Sequence, residues 1–467
     1  MKINDSEIET EAKRIHERFQ QEPVFDVLYR NNKAIVIDRE SGNWEAGPIA
    51  SIQEIKDHLA SQTNKRRSFS INNTGIALEC TIYLTNQCNL SCNYCYSDQI
   101  RTDSESKMFM SLNMLEKIIP SVLSMDWRAV NFFLYGGEPL LNLDLLTKTI
   151  ALINRINRYF RKRVYFSTQT NGTLINQENI DIFLKYGFNI GISLDGPPYI
   201  HNRNRPEKGG GPSFDKVIRG INLLRQNGIS FSITSTIPRP AEVEEIFEFF
   251  LNSRLTSSIR LSPMLPEGRG AQVMDEKSIE DFLEKFADAH IRVADRIIEN
   301  NQLSKFKIVC GNIASMVNNI ITDIRPDFCL RSPCGAGYGM IEFHPNGDIL
   351  TCDKTYYKPE LGVLGNISNI DHPEDLQFLY NSSPLRRQIA SRTVDNIPSC
   401  RKCSFKIFCG AGCTLGSYLK FGSFVREDVL CSYRKKMFYE LLWRLADNPY
   451  NAILLARPWI LNNGVAI

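Results

Sequence analysis

Cys88, Cys92 and Cys95 form a C-x3-C-x2-C run. Thiolates are soft ligands that suit iron–sulfur clusters. Three of them can hold three irons of a 4Fe–4S cube and leave the fourth iron open to a substrate or cosubstrate. A structural zinc closes with four ligands, and no fourth Cys or His lies near this run. Nine of the thirteen cysteines fall after residue 306. From Cys334 the spacing reads C-x12-G-x4-C through Gly347 and Cys352; from Cys400 it reads C-x2-C-x5-C-x3-C-x17-C through Cys403, Cys409, Cys413 and Cys431. C-x2-C pairs also occur in zinc ribbons, and the thiolates of this region, with Cys329, suit two zincs as well as two cubes. Cys80 and Cys310 lie in apolar surroundings and read as buried structural thiols.

The elements that must position these groups divide the chain into three parts. Residues 1–75 read as a small α+β unit: a charged helix over Ser6–Gln21, two β-rich runs at 24–29 and 33–37 joined by an Asn31-Asn32 turn, a helix over Ile52–Ala60 and a polar linker over Ser61–Asn73. Residues 76–305 alternate strand and helix. Strands are expected near 79–84, 130–135, 163–168, 188–193, 229–236 and 258–262, with helices over 112–125, 143–159, 177–186, 214–226 and 243–252 between them. That alternation predicts an α/β fold with a parallel sheet and crossover helices, a partial (β/α)6 barrel whose ligands sit at the C-terminal strand ends. Residues 306–467 lose periodicity and concentrate Cys, Gly and Pro, as a small metal-stapled domain does.

Composition narrows the function classes. Fifty-five basic against 52 acidic residues give a formal net charge of +3, which does not suggest nucleic-acid binding. The runs Lys65-Arg66-Arg67 and Arg161-Lys162-Arg163 are short and read as solvated faces. No stretch of eighteen apolar residues suggests a membrane span, and the polar N-terminus lacks a signal core. The expected setting is the cytoplasm, where thiols stay reduced and cysteine wealth points to metal.

The first cysteine loop, with Tyr94 before its last Cys, resembles the signature of the radical S-adenosylmethionine (SAM) superfamily. The resemblance continues through Gly136-Gly137-Glu138-Pro139 after the second barrel strand, Gln169-Thr170-Asn171-Gly172 after the third, and Ser193-Leu194-Asp195-Gly196 at the fourth. It implies that the open iron chelates SAM, that one-electron cleavage yields a 5′-deoxyadenosyl radical, and that this radical takes a hydrogen from the substrate. It also implies SAM contacts from Tyr94, Gly136, Gly137, Glu138 (to the ammonium), Gln169, Asn171 and Ser193, with Arg203 or Arg205 as candidates for its carboxylate. The C-terminal cysteines resemble the SPASM pattern. That resemblance implies a first auxiliary 4Fe–4S cluster on Cys329, Cys334, Cys352 and Cys413 and a second on Cys400, Cys403, Cys409 and Cys431, three clusters in all. Asp353 stands where sulfatase-maturing members carry their catalytic base; Tyr356 and Tyr357 are weaker candidates.

The family resemblance further implies a precursor peptide or protein as substrate and a flavodoxin- or ferredoxin-type electron donor. Sulfatase maturases begin almost at the cluster loop, whereas many peptide maturases carry a small element that captures a leader peptide by strand addition. The N-terminal hairpin is a candidate for such an element, and a structural cap is the equal alternative. The expected activity is therefore side-chain crosslinking in a ribosomally made peptide, through a thioether, carbon–carbon or carbon–oxygen bond. A sulfatase or other subunit maturase, and a non-catalytic iron–sulfur electron-transfer protein, are the alternatives.

Overall fold

The computed structural model describes residues 24–62, 77–96, 108–274, 278–352, 354 and 363–462. The helix expected over Ser6–Gln21, most of the expected linker, Asp353, Tyr356 and Tyr357 lie outside the described residues. Two compact units are present, one made of residues 24–62 with 402–407 and one of the remaining described residues.

The first unit is a three-stranded antiparallel sheet, β1 (Phe25–Arg30), β2 (Lys33–Asp38) and β3 (Trp44–Pro48), with a helix over Ile52–Ser61. Asn31 and Asn32 both have positive φ, 48° and 61°, the mirror-image turn that matches the twist of a hairpin and that asparagine tolerates. Val36 of the central strand packs against Ile55 and Leu59 of the helix. Strand β3 was not anticipated, because Gly47 and Pro48 weaken its β signal. Within this unit Lys406 pairs with Glu40 at 2.7 Å, and Gly42 (φ 72°) backs onto Ile407, which leaves no room for a Cβ.

The second unit carries a ten-stranded sheet. Strands β4 (Leu78–Thr85), β5 (Ala129–Gly136), β6 (Arg163–Thr170), β7 (Asn189–Ser193), β8 (Phe231–Ile237), β9 (Ser258–Pro263) and β10 (Val309–Cys310) lie side by side in chain order, all parallel. Helices over 112–124, 143–160, 177–186, 214–226, 243–253 and 279–303 make the connections. This is the open, sequentially ordered parallel sheet that a partial barrel requires. On the other side of β4, β11 (Met340–Phe343) adds in parallel, followed by antiparallel β12 (Asp348–Leu350) and β13 (Gly365–Asn366). The sheet thus runs on past residue 305 into the cysteine-rich region. Burial alternates along β5: Val130, Phe132 and Leu134 are fully buried under the helices, while Phe133 and Tyr135 face an inner cavity, as a period of two dictates.

The helix Ile279–Leu303 was also unanticipated, although Ile279, Leu283, Phe286, His290, Val293 and Ile297 recur on one buried stripe. Helices over 311–321, 431–447 and 451–462 also lie in the region where the sequence shows weak periodicity. Cys80 and Cys310 are fully buried. Among the described residues no helix is long and apolar enough to cross a membrane.

Three buried histidines set an acid limit on this fold. Burial lowers His290 and His344 to about 3 and His201 to about 4. Unfolding frees each to bind a proton below its ordinary value near 6.5, so the unfolded chain gains protons as pH falls from that value toward 4. Stability is present above pH ~6.5 and is lost below it, by up to about 1.4 kcal/mol per pH unit for each histidine. Denaturant titrations between pH 7 and pH 5 should show this slope, and His290→Gln should flatten it.

Candidate active site

The C-terminal ends of the barrel strands and the loop after β4 enclose a cavity of about 600 Å³. Cys88, Cys92 and Cys95 line it, together with Tyr94, Gly136, Gly137, Gln169, Asn171, Ser193 and Arg205. The structure therefore brings together the residues the sequence assigned to the first cluster and its cosubstrate, except Glu138 and the candidate Arg203.

Backbone contact fixes the near wall. Gly137 N–H donates to the Thr85 carbonyl at 2.9 Å, and Glu138 N–H to the Gln87 carbonyl at 2.8 Å. A Cβ on Gly137 would sit 2.1 Å from the Gln87 oxygen and one on Gly136, at φ 147°, 2.3 Å from the Thr85 oxygen. The glycines are required because the cysteine loop begins immediately after these two carbonyls.

Glu138 departs from the ammonium-binding expectation. Its carboxylate is fully buried and does not line the cavity. One oxygen accepts from Thr170 Oγ1 (2.6 Å) and Leu140 N–H (3.1 Å), the other from Asn171 N–H (2.7 Å). Burial raises this carboxyl to about 7 against those hydrogen bonds. Its work here is to tie the end of β5 to the end of β6. Asn171, held by its backbone in that way, donates from Nδ2 to Asn89 Oδ1 at 2.8 Å and lies 3.8 Å from Cys88 Sγ. Gln169 Nε2 donates to Ser193 Oγ at 3.0 Å, which sets both side chains on the rim.

A second buried carboxylate, Asp195, holds the opposite side. It accepts from the Tyr94 hydroxyl and from Thr236 N–H at 3.1 Å, and pairs with Arg205 Nε at 3.0 Å. The Arg205 guanidinium lies 5.4 Å from the Tyr94 ring centre, within cation–π range. Burial raises the Cys92 thiol to about 12, and Arg205 works in the opposite direction. Of the two arginines considered for a carboxylate, Arg205 faces the cavity and Arg203 is engaged by Glu242 at 2.7 Å.

The cavity floor was missed in the sequence. Glu79, Thr81 and Tyr83 of β4, Phe133 and Tyr135 of β5, and Met340 and Glu342 of β11 point into it. Alternate positions on expected strands carried the signal for β4 and β5. Asn131 Nδ2 donates to both oxygens of Glu79, at 3.0 and 2.9 Å, yet burial raises that carboxyl to about 7. Lys354 pairs with Glu267 at the cavity edge. Asp353 lies outside the described residues, between Cys352 and this cavity-lining Lys354.

Cys334, Cys352 and Cys413 pack within one cluster around Ala336, Ile389 and Leu415, and Cys329 lies in the electrostatic field of Cys334 and Cys413. Burial raises the Cys413 thiol to about 12. Gly410, Ala411 and Gly412 take φ of 67–68° in succession, which curls the chain into Cys413. Two buried arginines flank these thiols. Arg392 donates to the carbonyls of Phe424 (2.8 Å) and Arg426 (2.9 Å); Arg434 pairs with Asp428. Among the described residues no three Cys, His, Asp or Glu side chains converge as ligands of a single ion. Of Cys400, Cys403, Cys409 and Cys431, Cys403 belongs to the first compact unit and the others to the second.

Residues 82–250 match the model of the radical SAM superfamily. The chain is 25% identical over 376 residues to a cysteine-type anaerobic sulfatase-maturating enzyme of Clostridium novyi (strain NT), covering 77% of this chain and 94% of that enzyme. It is 28% identical over 348 residues to a serine-type anaerobic sulfatase-maturating enzyme of Bacteroides thetaiotaomicron, covering 70% and 80%. Among solved structures, anSMEcpe with bound AdoMet superposes with a TM-score of 0.69 at 23% identity, over 81% of this chain and 98% of that one. Streptococcus suis SuiB bound to S-adenosylmethionine superposes with a TM-score of 0.54 at 17% identity, over 88% and 100%.

Gly137→Ala should push the Gln87 carbonyl and displace the start of the cysteine loop. Displacements of about 1 Å cost of order a hundredfold in well-positioned sites. Equilibrium dialysis should show SAM binding weakened at least ~10-fold on that basis.

Proposed function

We propose that this chain, which carries a radical SAM domain over residues 82–250, is a maturase that abstracts a hydrogen from a side chain of a ribosomally made peptide and forms an intramolecular crosslink. The observation that carries the radical SAM part is the single cavity that collects Cys88, Cys92 and Cys95 with Gly136, Gly137, Gln169, Asn171, Ser193 and Arg205. A cube distributes its thiolates over separate irons, and three thiols around one cavity leave the fourth iron open. Bound SAM and a reduced cube would supply one-electron cleavage and a hydrogen-abstracting radical.

The chain's own residues do the rest. Arg205, anchored on Asp195, is placed to pair with a carboxylate of the cosubstrate. Gln169 and Ser193 present polar atoms to it from one wall. Tyr94, with its hydroxyl held by Asp195, closes the loop against water. Asp353 follows Cys352 and would take the proton released when a substrate radical is oxidised. The packing of Cys334, Cys352 and Cys413 supports the first auxiliary cluster with Cys329. The second, on Cys400, Cys403, Cys409 and Cys431, stands on spacing alone. The reading includes a cytoplasmic setting and a flavodoxin- or ferredoxin-type electron donor.

The N-terminal three-stranded sheet favours a peptide substrate, since its β1 lies at an edge and an edge strand can accept a peptide by augmentation. One solved relative in fold is SuiB bound to precursor peptide SuiA. The second reading, sulfatase-type oxidation of Cys or Ser, is favoured by the sulfatase-maturating enzymes among the curated relatives.

Anaerobic reconstitution should bring the chain toward about twelve irons, four for each of three cubes. Replacing Cys88, Cys92 and Cys95 together by Ala should abolish SAM cleavage and leave about eight irons. Asp353→Asn should lower product formation far more than SAM cleavage; equal loss of both would remove Asp353 from the base role. Mass spectrometry of a genetically adjacent peptide after incubation with SAM and reductant decides the product. A loss of two hydrogens marks a crosslink, and a Cys or Ser converted to an aldehyde marks the sulfatase-type reaction.

A further inference from the structure

The run Arg161-Lys162-Arg163, which reads as an ordinary solvated face in the sequence, has a different setting in the fold. It meets Arg128 and Trp127 around a groove of about 540 Å³ at the N-terminal ends of β5 and β6, away from the rim that carries Cys88. Arg128, Arg161 and Arg163 are exposed, and among the described residues no carboxylate pairs with any of the three. Elsewhere on this surface Arg292 pairs with Glu244 and Arg444 with Asp295. Asp126 is the one carboxylate lining the groove. Lys162 turns inward and donates to the Met125 carbonyl. Phe160 at its edge is 38% exposed, so the patch offers apolar contact beside unneutralised positive charge.

Trp127 links this groove to the cysteine-rich region. Its Cη2 lies 3.7 Å from the position a Cβ would take on Gly339, and the Phe328 ring lies 2.8 Å from the same position. Gly339 N–H donates to Gly335 O at 2.8 Å, and Gly335 N–H to Phe328 O at 3.0 Å. Phe328 and Gly335 are the immediate neighbours of Cys329 and Cys334, and Cys329 is itself exposed. The groove's Trp127 and the loop's Phe328 thus both lie against Gly339, beside the loop that bears two thiols of the proposed first auxiliary cluster.

We propose that this groove docks a small acidic one-electron carrier of the flavodoxin or ferredoxin class, which exchanges electrons with the auxiliary cluster held by Cys329, Cys334, Cys352 and Cys413. The proposal rests on that cluster assignment. In the exchange the carrier's flavin or iron–sulfur centre loses one electron and the cube gains it; no bond is made or broken. Charge selects the partner, because exposed cations without counter-charges steer an acidic protein to this face. Trp127 and Phe328, which both lie against Gly339, tie this face to the loop of Cys329 and Cys334.

The test uses the fully reconstituted enzyme and a purified, strongly acidic flavodoxin reduced to its hydroquinone. Stopped-flow absorbance follows cluster reduction in the wild type and in the Arg128→Gln/Arg161→Gln/Arg163→Gln variant, with dithionite as the small control reductant. These are surface changes away from the core, so the fold should tolerate them. The expected result is a wild-type rate that falls at least about tenfold as salt is raised from low to high ionic strength. The variant should be about tenfold slower at low salt, match the wild type at high salt and respond unchanged to dithionite. Equal rates for the two proteins at low salt would overturn the docking site while leaving the cluster assignment standing. Loss of precursor-peptide binding in the variant with unchanged reduction would reassign the face to the peptide and overturn the proposal. If iron analysis and electron paramagnetic resonance find no auxiliary cube lost on Cys334→Ala, the cluster assignment itself fails and the proposal with it.

Discussion

Asp195 carries no solvent exposure, and three separate segments depend on its carboxylate. The Tyr94 hydroxyl belongs to the cysteine loop, Arg205 follows the short helix after β7, and Thr236 N–H belongs to β8. A buried charge that loses a partner is costly, by about 3–5 kcal/mol for a broken buried pair, so these segments hold one another in place. Arg205 profits most from this arrangement: its guanidinium stays charged and faces the cavity because Asp195 holds its Nε side. Glu138 performs the matching task on the other flank, where it joins β5 to β6 through Thr170 and Asn171. The rim is therefore fastened by two buried carboxylates, neither of which contributes its oxygens to the cavity lining.

The placement of the auxiliary cysteines follows from the sheet. Gly339 accepts a backbone hydrogen bond from Glu79 N–H at 3.0 Å, and β11 then runs parallel to β4 from Met340 opposite Glu79 to Phe343 opposite Ile82. Cys334 lies just before this pairing begins and Cys352 just after β12 ends. The same strand also places Met340 and Glu342 on the cavity floor. The cysteine-rich region is thus continuous with the barrel by hydrogen bonding and supplies part of the chamber in which a substrate would react.

The parallel sheet was legible because each strand and its crossover helix keep their own period: β5 alternates cleanly, and helices such as Gln177–Tyr186 and Phe214–Gln226 begin and end at the expected residues. The cluster loop and its glycines were legible because metal chemistry and close backbone approach leave few residue choices. What escaped has physical reasons. Glu138 stands in a motif that does not by itself show the hydrogen bonds its oxygens accept from Thr170, Leu140 and Asn171. Strand β11 gains its place from β4 across about 260 residues of chain, a separation that no local pattern reports. The helix Ile279–Leu303 was legible in its apolar stripe and falls inside the expected 76–305 barrel, after its sixth strand. The charge of Arg161 and Arg163 was visible, but its concentration with Arg128 arises only where β5 and β6 begin side by side.

The size of the chamber limits how a substrate can be presented. About 600 Å³ falls within the range of pockets that enclose one small molecule. On the proposed reading a cosubstrate takes the part near Cys88, Gly137 and Arg205, so what remains reaches down to Glu79, Phe133, Met340 and Glu342. On that reading the space suits a side chain on an extended segment. Its floor is neither plainly apolar nor plainly anionic. Glu79 is raised to about 7 by burial while Asn131 holds both its oxygens, so the floor carries a polar group. Phe133 and Met340 beside it reward an apolar stem. On the proposed reading, a side chain with an apolar stem and a polar tip suits this floor.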